Sequence, residues 1–194
     1  GLNLLRETQT LRIPEVIATG QAGADAYLLL EFIPAGSPGS HFWEDFGRRL
    51  AGMHRIEQPF FGLHFDNYIG SLPQPDGRFA SFCDLYIEKR LGPQMEAARQ
   101  AGLLHAADEE KMQHLCQRLP ELLPEEPPAL IHGDLWNGNF LTGQDGAAVL
   151  IDPAIAYAHR EMDLAMSKLF GGFHPRFYQA YQEHYPPAPG LDER

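Results

Sequence analysis

The side chains best suited to chemistry lie in one short stretch of the chain. His132-Gly133-Asp134 is followed five residues later by Asn139, and Asp152 follows the apolar run Ala147–Ile151. This is the catalytic-loop spacing of enzymes that transfer a phosphoryl group to a hydroxyl. In such loops the first aspartate accepts the hydroxyl proton, while asparagine and a second aspartate supply oxygen ligands to Mg²⁺. We therefore predict Asp134 as the catalytic base and Asn139 and Asp152 as metal ligands.

Short apolar strands are predicted to position these groups. Ala129–Ile131 leads into the loop, and the turn 142–146 separates Phe140-Leu141 from Ala147–Ile151, which predicts a hairpin. Because Asn139 precedes the first strand of this hairpin and Asp152 follows the second, both side chains should reach the same end and share one metal ion.

Three neighbouring residues have more than one interpretation. We predict that His132 holds the loop through hydrogen bonds to backbone, and that Asp163, on a predicted helix, is a buried carboxylate that braces the loop rather than a third metal ligand. Trp136 lies two residues beyond the predicted base. It either stacks on a sugar ring of the substrate or packs under the loop.

The N-terminal part reads as a small β-rich unit. The runs 12–18 and 27–33 predict an antiparallel hairpin, and the Pro/Gly-rich segment 34–39 predicts a hinge. Glu31, Phe32 and Ile33 end the second run at this hinge. From the sequence alone this is an ordinary strand end, at the position where kinases offer backbone groups to an adenine. Beyond the hinge, residues 60–77 suggest an ordered loop. Apolar periodicity predicts helices over 40–56, 79–100 with a kink or break at Gly92-Pro93, 108–119, 160–170 and 174–184.

Composition excludes several classes of function. The 194 residues are 44% hydrophobic, enough for a core, and 15 basic against 26 acidic residues give a net charge of −11. That charge argues against nucleic-acid and anionic-membrane partners. The apolar runs are too short to span a bilayer. Cys83 and Cys116 form no metal or redox motif, as expected of reduced thiols in a cytoplasmic protein.

Taken together, the motifs resemble those of the fructosamine (ketosamine) kinase family, relatives of the aminoglycoside phosphotransferases. The Leu135-Trp136 pair inside the loop and the segment Asn67–Gln74 are the most specific features, because the loop spacing alone is shared by many small-molecule kinases. The matching segments are Arg12–Pro14, Asn67–Gln74, Arg90–Gln94, His132–Asn139, Ile151–Ala154 and Gly171–Phe173.

This resemblance implies an α+β, protein-kinase-like fold and ATP-dependent phosphorylation of a sugar hydroxyl on a ketosamine. In the family the reaction lies at the third sugar carbon and serves deglycation. It also implies ATP and Mg²⁺ as cofactors, Asp134 as base, Asn139 and Asp152 as metal ligands, and an adenine site at Glu31, Phe32 and Ile33.

The chain also departs from the family pattern. Kinases need a Gly-rich loop over the phosphates and a strand lysine paired with a helix glutamate. The segment Gly20–Gly23 has the wrong neighbours for such a loop, and no lysine precedes Lys89. We therefore expect an incomplete fold, with residues 1–34 as the end of the small lobe and the hinge. Residues 35–194 would form a helical large lobe that carries the catalytic loop and the metal-site hairpin and is itself incomplete at its C-terminus.

Two alternatives to a ketosamine kinase remain open. One is a non-catalytic fragment that at most binds nucleotide or substrate, or another aminoglycoside-phosphotransferase-like kinase. The other is a metal-dependent phosphoesterase built on His132, Asp134, Asp152 and His159. The second is less expected, because such sites use more histidine ligands and it gives Asn139 no role.

Overall fold

Residues 1–193 are described by a computed structural model. They form a mixed α+β fold in which helices dominate after residue 40. The helices are α1 (Leu2–Glu7), α2 (Phe42–His54), α3 (Phe82–Tyr86), α4 (Gly92–Gln100), α5 (Ala106–Leu122), α6 (Glu161–Leu169) and α7 (Pro175–His184). The strands are β1 (Val16–Ala22), β2 (Asp25–Leu30), β3 (Asn67–Ile69), β4 (Leu72–Gln74), β5 (Ala129–Ile131), β6 (Phe140–Thr142), β7 (Ala148–Leu150) and β8 (Ala156–Ala158).

The predicted N-terminal hairpin is confirmed, with shifted ends. Strands β1 and β2 pair antiparallel around Gly23, whose φ of 67° suits the turn. Residues 12–15 lie outside β1, since Pro14 has no N–H to donate to a ladder. Arg12 instead accepts a hydrogen bond from Leu150 N at 3.0 Å, which ties this segment to β7. Residues 31–33 likewise lie beyond the end of β2.

Two small sheets flank the catalytic stretch. Strands β6 and β7 form the predicted hairpin, with Phe140 opposite Leu150. Strand β5 pairs antiparallel with β8, which we did not predict because β8 has only three residues. Both β5 and β7 are wholly buried, so the catalytic stretch is built on the interior of the protein.

Helices α2 and α7 form the main core against this stretch. The predicted periodicity of α2 is confirmed, because Phe42, Phe46, Leu50 and Met53 are all buried. A Cβ at Gly47 would overlap the carbonyl oxygen of Phe177, so glycine allows the close crossing of α2 and α7. The helix begins at Phe42 and ends at His54, inside the predicted range 40–56.

Two predictions for the middle of the chain are wrong. The expected loop at 60–77 contains the hairpin of β3 and β4. Of the expected kink or break at Gly92-Pro93, the break is wrong, because α3 continues through a π-helical turn, Ile87–Leu91, into α4. Pro93 follows this π turn directly, as the second residue of α4. Within residues 1–193, no helix has the length and hydropathy required to cross a membrane.

Candidate active site

His132 is a structural part of the loop, as predicted. Its side chain is fully buried; Nε2 donates to the Ile151 carbonyl at 3.0 Å and Nδ1 accepts from the Asp134 N–H at 3.3 Å. Burial lowers the pKa of the His132 imidazole, which is therefore neutral and has both nitrogens occupied. A side chain in this state does not serve as the base.

Asp163 braces the loop from α6, also as predicted. Its buried carboxylate accepts hydrogen bonds from the N–H groups of His132 and Gly133 at 2.7 and 2.8 Å, and from His54 Nε2 at 3.1 Å. Burial alone raises the pKa of this carboxyl. The hydrogen bond from His54 and the interactions with His132 outweigh that effect and hold the pKa below its ordinary value. The braced loop therefore depends on an ionised carboxylate.

We expect Asp163→Asn to lower the free energy of unfolding by about 2 kcal/mol, because one of the N–H donors would face an amide NH₂ instead of an oxygen. Urea denaturation followed by circular dichroism measures this loss. The matched control is Asp25→Asn, which makes the same change at an exposed residue of β2. Equal unfolding free energies for the two variants would contradict the bracing role.

A buried polar chain continues from Asp163 toward the surface. His54 Nδ1 accepts from the Tyr181 hydroxyl at 2.8 Å, and that oxygen accepts from Arg160 Nη1 at 3.2 Å. Arg160 also binds both carboxylate oxygens of Glu126 at 2.7 Å and stacks 3.8 Å from the centre of the Tyr185 ring. The loop is thus joined through hydrogen bonds to α2, α6, α7 and the segment before β5. No motif in the sequence identifies Arg160, Tyr181, His54 or Glu126, because these residues are far apart along the chain.

Asp134 and Asn139 are brought together, as their spacing predicts. Asn139 Nδ2 donates to Asp134 Oδ2 at 2.8 Å and to the Asp134 carbonyl at 2.9 Å. Burial raises the pKa of the Asp134 carboxyl, while the hydrogen bond from Asn139 works in the opposite direction. The carboxylate is held in one orientation, half-buried, with the second oxygen available to a substrate.

The hairpin also brings Asn139 to Asp152. Asn139 Nδ2 lies 3.4 Å from the Asp152 carbonyl, and Ile151 N donates to the Asn139 carbonyl at 3.0 Å. Asp152 is exposed and has a φ of 50°, which is uncommon for a residue other than glycine and recurs at functional sites.

The donor set at this end of the hairpin fits Mg²⁺. Among residues 1–193, nothing donates a hydrogen bond to Asn139 Oδ1 or to the Asp152 carboxylate. The Asn139 amide oxygen and the Asp152 carboxylate are therefore free for a cation. Mg²⁺ prefers such oxygen ligands and commonly takes one or two from protein, the rest from phosphates and water. The positions of Asn139 and Asp152 are thus compatible with the predicted metal site.

The phosphoesterase alternative has no support in this geometry. Over the described part of the chain, no three His, Cys, Asp or Glu side chains converge into a metal site. His159 is buried, with Nε2 3.1 Å from the Pro124 carbonyl and Nδ1 accepting from Glu161 N at 3.3 Å. The ring nitrogens of His132 and His159, the two histidines that this alternative requires, are therefore all hydrogen-bonded to backbone groups.

A cleft of about 760 Å³ reaches from the N-terminal hairpin to Asp152. Its walls include Val16, Leu28, Leu30 and the predicted adenine residues 31–33. The Glu31 carboxylate is bound to Arg12 at 2.9 Å and the Glu31 N–H to the Glu15 carbonyl at 2.8 Å, so this side chain holds the segment in place. The peptide groups of Phe32 and Ile33 have no hydrogen-bond partner within residues 1–193. They are free to bind a ligand in the cleft.

Trp136 combines features of both interpretations. Its ring packs edge-on against Phe170 with centroids 5.6 Å apart, and a Cβ on Gly138 would overlap the indole. The side chain is nevertheless half-buried, so part of the ring faces solvent beside the loop. A role in sugar stacking stays a prediction.

Comparison with known proteins identifies the family. The fructosamine kinase family model matches residues 1–194. A probable ketoamine kinase of Vibrio parahaemolyticus is 39% identical over 198 residues, which cover 100% of this chain and 67% of the relative, and one from Synechocystis is 38% identical, with 65% of its length covered. The chain thus spans about two thirds of the length of the curated relatives it matches.

Solved structures show the same relationship. The crystal structure of a candidate fructosamine-3-kinase from Haemophilus somnus superposes with a TM-score of 0.90 at 30% identity, covering 100% of this chain and 65% of that one. A macrolide 2′-phosphotransferase from Brachybacterium faecium matches at a TM-score of 0.51 and 14% identity, covering 99% of this chain and 65% of that one, and shows the fold alone. The predicted kinase-like fold is confirmed as a partial one, and the chain belongs to the fructosamine kinase family.

Proposed function

We propose that the protein containing this chain is an ATP-dependent kinase that phosphorylates a hydroxyl on the sugar part of a ketosamine. The observation that carries the proposal is the contact between Asn139 Nδ2 and Asp134 Oδ2 at 2.8 Å, at the end of a hairpin that also presents Asp152. A proton acceptor is thereby fixed beside two free oxygen ligands and a cleft of nucleotide size. The names of the relatives supply the class of acceptor.

The proposed reaction assigns one proton transfer to this chain. The acceptor hydroxyl attacks the γ-phosphorus of ATP, a new O–P bond forms, and the bond to the β,γ-bridging oxygen breaks to release ADP. Asp134 accepts the hydroxyl proton. Its hydrogen bond from Asn139 fixes the carboxylate, so the hydroxyl is aligned before it reacts.

Asn139 and Asp152 would hold Mg²⁺ through the two free side-chain oxygens. When bound there, the ion supplies positive charge that neutralises the phosphate oxygens. Phe32 and Ile33 would bind the adenine through their free peptide groups, while the Arg12–Glu31 contact keeps this segment at the cleft. Trp136 would line the acceptor side of the loop.

We also propose a division into lobes. Residues 1–34 would be the end of a small lobe with its hinge, and residues 35–194 would belong to a helical large lobe. The position of β1 and β2 before residue 34 and the predominance of helices after residue 40 support this division. The acceptor would be a fructosamine or ribulosamine, and its phosphorylation would destabilise the adduct and serve deglycation.

The test measures ADP release by a longer form of the protein that matches the full length of its relatives, with Mg²⁺, ATP and a panel of acceptors. We expect turnover with fructosamine and ribulosamine and none with an aminoglycoside. The 194-residue chain is assayed in parallel, where nucleotide binding without turnover would favour the fragment alternative for this chain alone. Turnover confined to the aminoglycoside would refute the proposed acceptor, and phosphate release without ATP would refute a kinase.

A further inference from the structure

A second cavity meets the catalytic loop apart from the nucleotide-sized cleft. Its volume is about 240 Å³, and Gly133 and Ala154 form part of its wall. Gly133 is the immediate neighbour of Asp134, and Ala154 lies two residues after Asp152. The two cavities share no lining residue. Because the cleft is assigned to ATP, the second cavity is placed to receive the acceptor that Asp134 aligns.

The size and walls of this cavity suit one part of a ligand. Whole small-molecule ligands occupy pockets of about 300–1,000 Å³, so 240 Å³ fits a substituent better than a complete ketosamine. The walls near the loop are apolar, which favours hydrocarbon and disfavours a sugar phosphate. These apolar residues are Leu85, Ile131, Ala156, Met162 and Met166.

One cation on the wall has no acidic partner. Lys89 makes no ion pair within residues 1–193; its ammonium lies only near the Phe79 ring, 5.9 Å from the centroid. The adjacent Arg90 is fully engaged, since it donates to Asp76 Oδ2 at 3.0 Å and to the Pro75 carbonyl at 2.8 Å. An unpaired, half-buried lysine is notable in a chain with a net charge of −11. It leaves a positive charge free for an anionic ligand group.

The backbone supports a functional position for Lys89. Lys89 and Arg90 lie in the π-helical turn Ile87–Leu91, and single π turns within helices are frequently found at functional sites. The tie from Arg90 to Asp76, whose side chain is wholly buried, fixes this turn against the rest of the protein. Lys89 is thereby held at the rim while its own charge is free.

We propose that this cavity binds the amine-side substituent of the acceptor, and that Lys89 pairs with a carboxylate on it, so that the preferred acceptors are ketosamines of free amino acids. The apolar walls take the amino-acid side chain and Lys89 takes the α-carboxylate. This inference rests on the proposed kinase function and names the acceptor class of the same site.

The experiment compares two acceptors that differ only in the carboxylate: the ketosamine of glucose with leucine and that with 3-methylbutylamine. We expect the KM of the wild-type protein to be about tenfold lower for the leucine adduct, because a charge-assisted hydrogen bond increases affinity by about that factor. Lys89→Met, which keeps the aliphatic stem, should raise only the KM for the leucine adduct and make the two values equal. Circular dichroism and urea denaturation of Lys89→Met check that this variant is folded.

Lys111→Met is the matched control, since Lys111 is an exposed residue of α5 and should leave the preference intact. Equal KM values for the two adducts in the wild-type protein, or a preference that persists in Lys89→Met, would overturn the inference alone. Absence of turnover with both adducts would overturn the kinase proposal and this inference with it.

Discussion

Replacement of Asp134 by asparagine is expected to lower kcat for phosphoryl transfer by roughly 10²- to 10⁴-fold, the usual contribution of a general base. Asparagine has the same shape and can still accept the 2.8 Å hydrogen bond from Asn139 Nδ2, so the loop should keep its conformation. It does not accept a proton. The loss should therefore appear in kcat and leave the KM for ATP unchanged, which a coupled assay of ADP release measures with a ketosamine acceptor.

The control for this variant is Asp145→Asn. Asp145 lies in the turn between β6 and β7, is largely exposed, and has only local contacts and an ion pair with Arg12 at 3.7 Å. The same chemical change there should leave kcat as it is. Wild-type kcat in Asp134→Asn would show that another group takes the proton and would remove the central assignment of the site.

The substitution Gly133→Ala should have the largest effect on stability, with a loss of about 3–5 kcal/mol in the free energy of unfolding. Gly133 has a φ of 82°, a conformation that alanine adopts only with strain, and an added Cβ would overlap the carbonyl oxygen of Ala154. The N–H of Gly133 is also held by Asp163 at 2.8 Å. Because of this hydrogen bond, the loop cannot shift away from Ala154 to relieve the overlap without losing the contact with Asp163. The position of Asp134 should therefore change, and kcat should fall as well.

Gly102→Ala separates the two causes. Gly102 has a φ of 68°, and an added Cβ would meet nothing within 4 Å. Gly102→Ala should lower the free energy of unfolding by about 1 kcal/mol through backbone strain alone. Urea denaturation of both variants gives the difference, which measures the overlap with Ala154. If the two variants lose the same stability, the close approach of the loop to Ala154 is not important for folding.

The sequence was most informative where the structure is local. Asp134, Asn139 and Asp152 are connected by one loop and one hairpin, so their spacing was enough to bring them together. Periodicity was likewise enough for α2, whose buried residues recur at helical spacing.

Features that depend on distant residues could not be predicted. Arg160 contacts Glu126 across 34 residues and Tyr181 across 21 residues, and His54 contacts Tyr181 across 127 residues. The proline at position 93 suggested a kink or break. The π turn that precedes it was not predicted, because it has no sequence signature. The late start of β1, at Val16 rather than at residue 12, did have a signal in the sequence, the proline at position 14.

The buried chain from Asp163 through His54 and Tyr181 to Arg160 also bears on how the protein is made. The catalytic loop leaves the ribosome before three of these four residues, namely Arg160, Asp163 on α6 and Tyr181 on α7. A nascent chain that ends before α6 therefore contains every residue of the loop but lacks the Asp163 carboxylate that holds it. Since domains are synthesised from the N-terminus and non-local contacts form slowly, the loop becomes ordered late. We therefore expect the loop to acquire its braced geometry only after α6 has been translated and has packed against it.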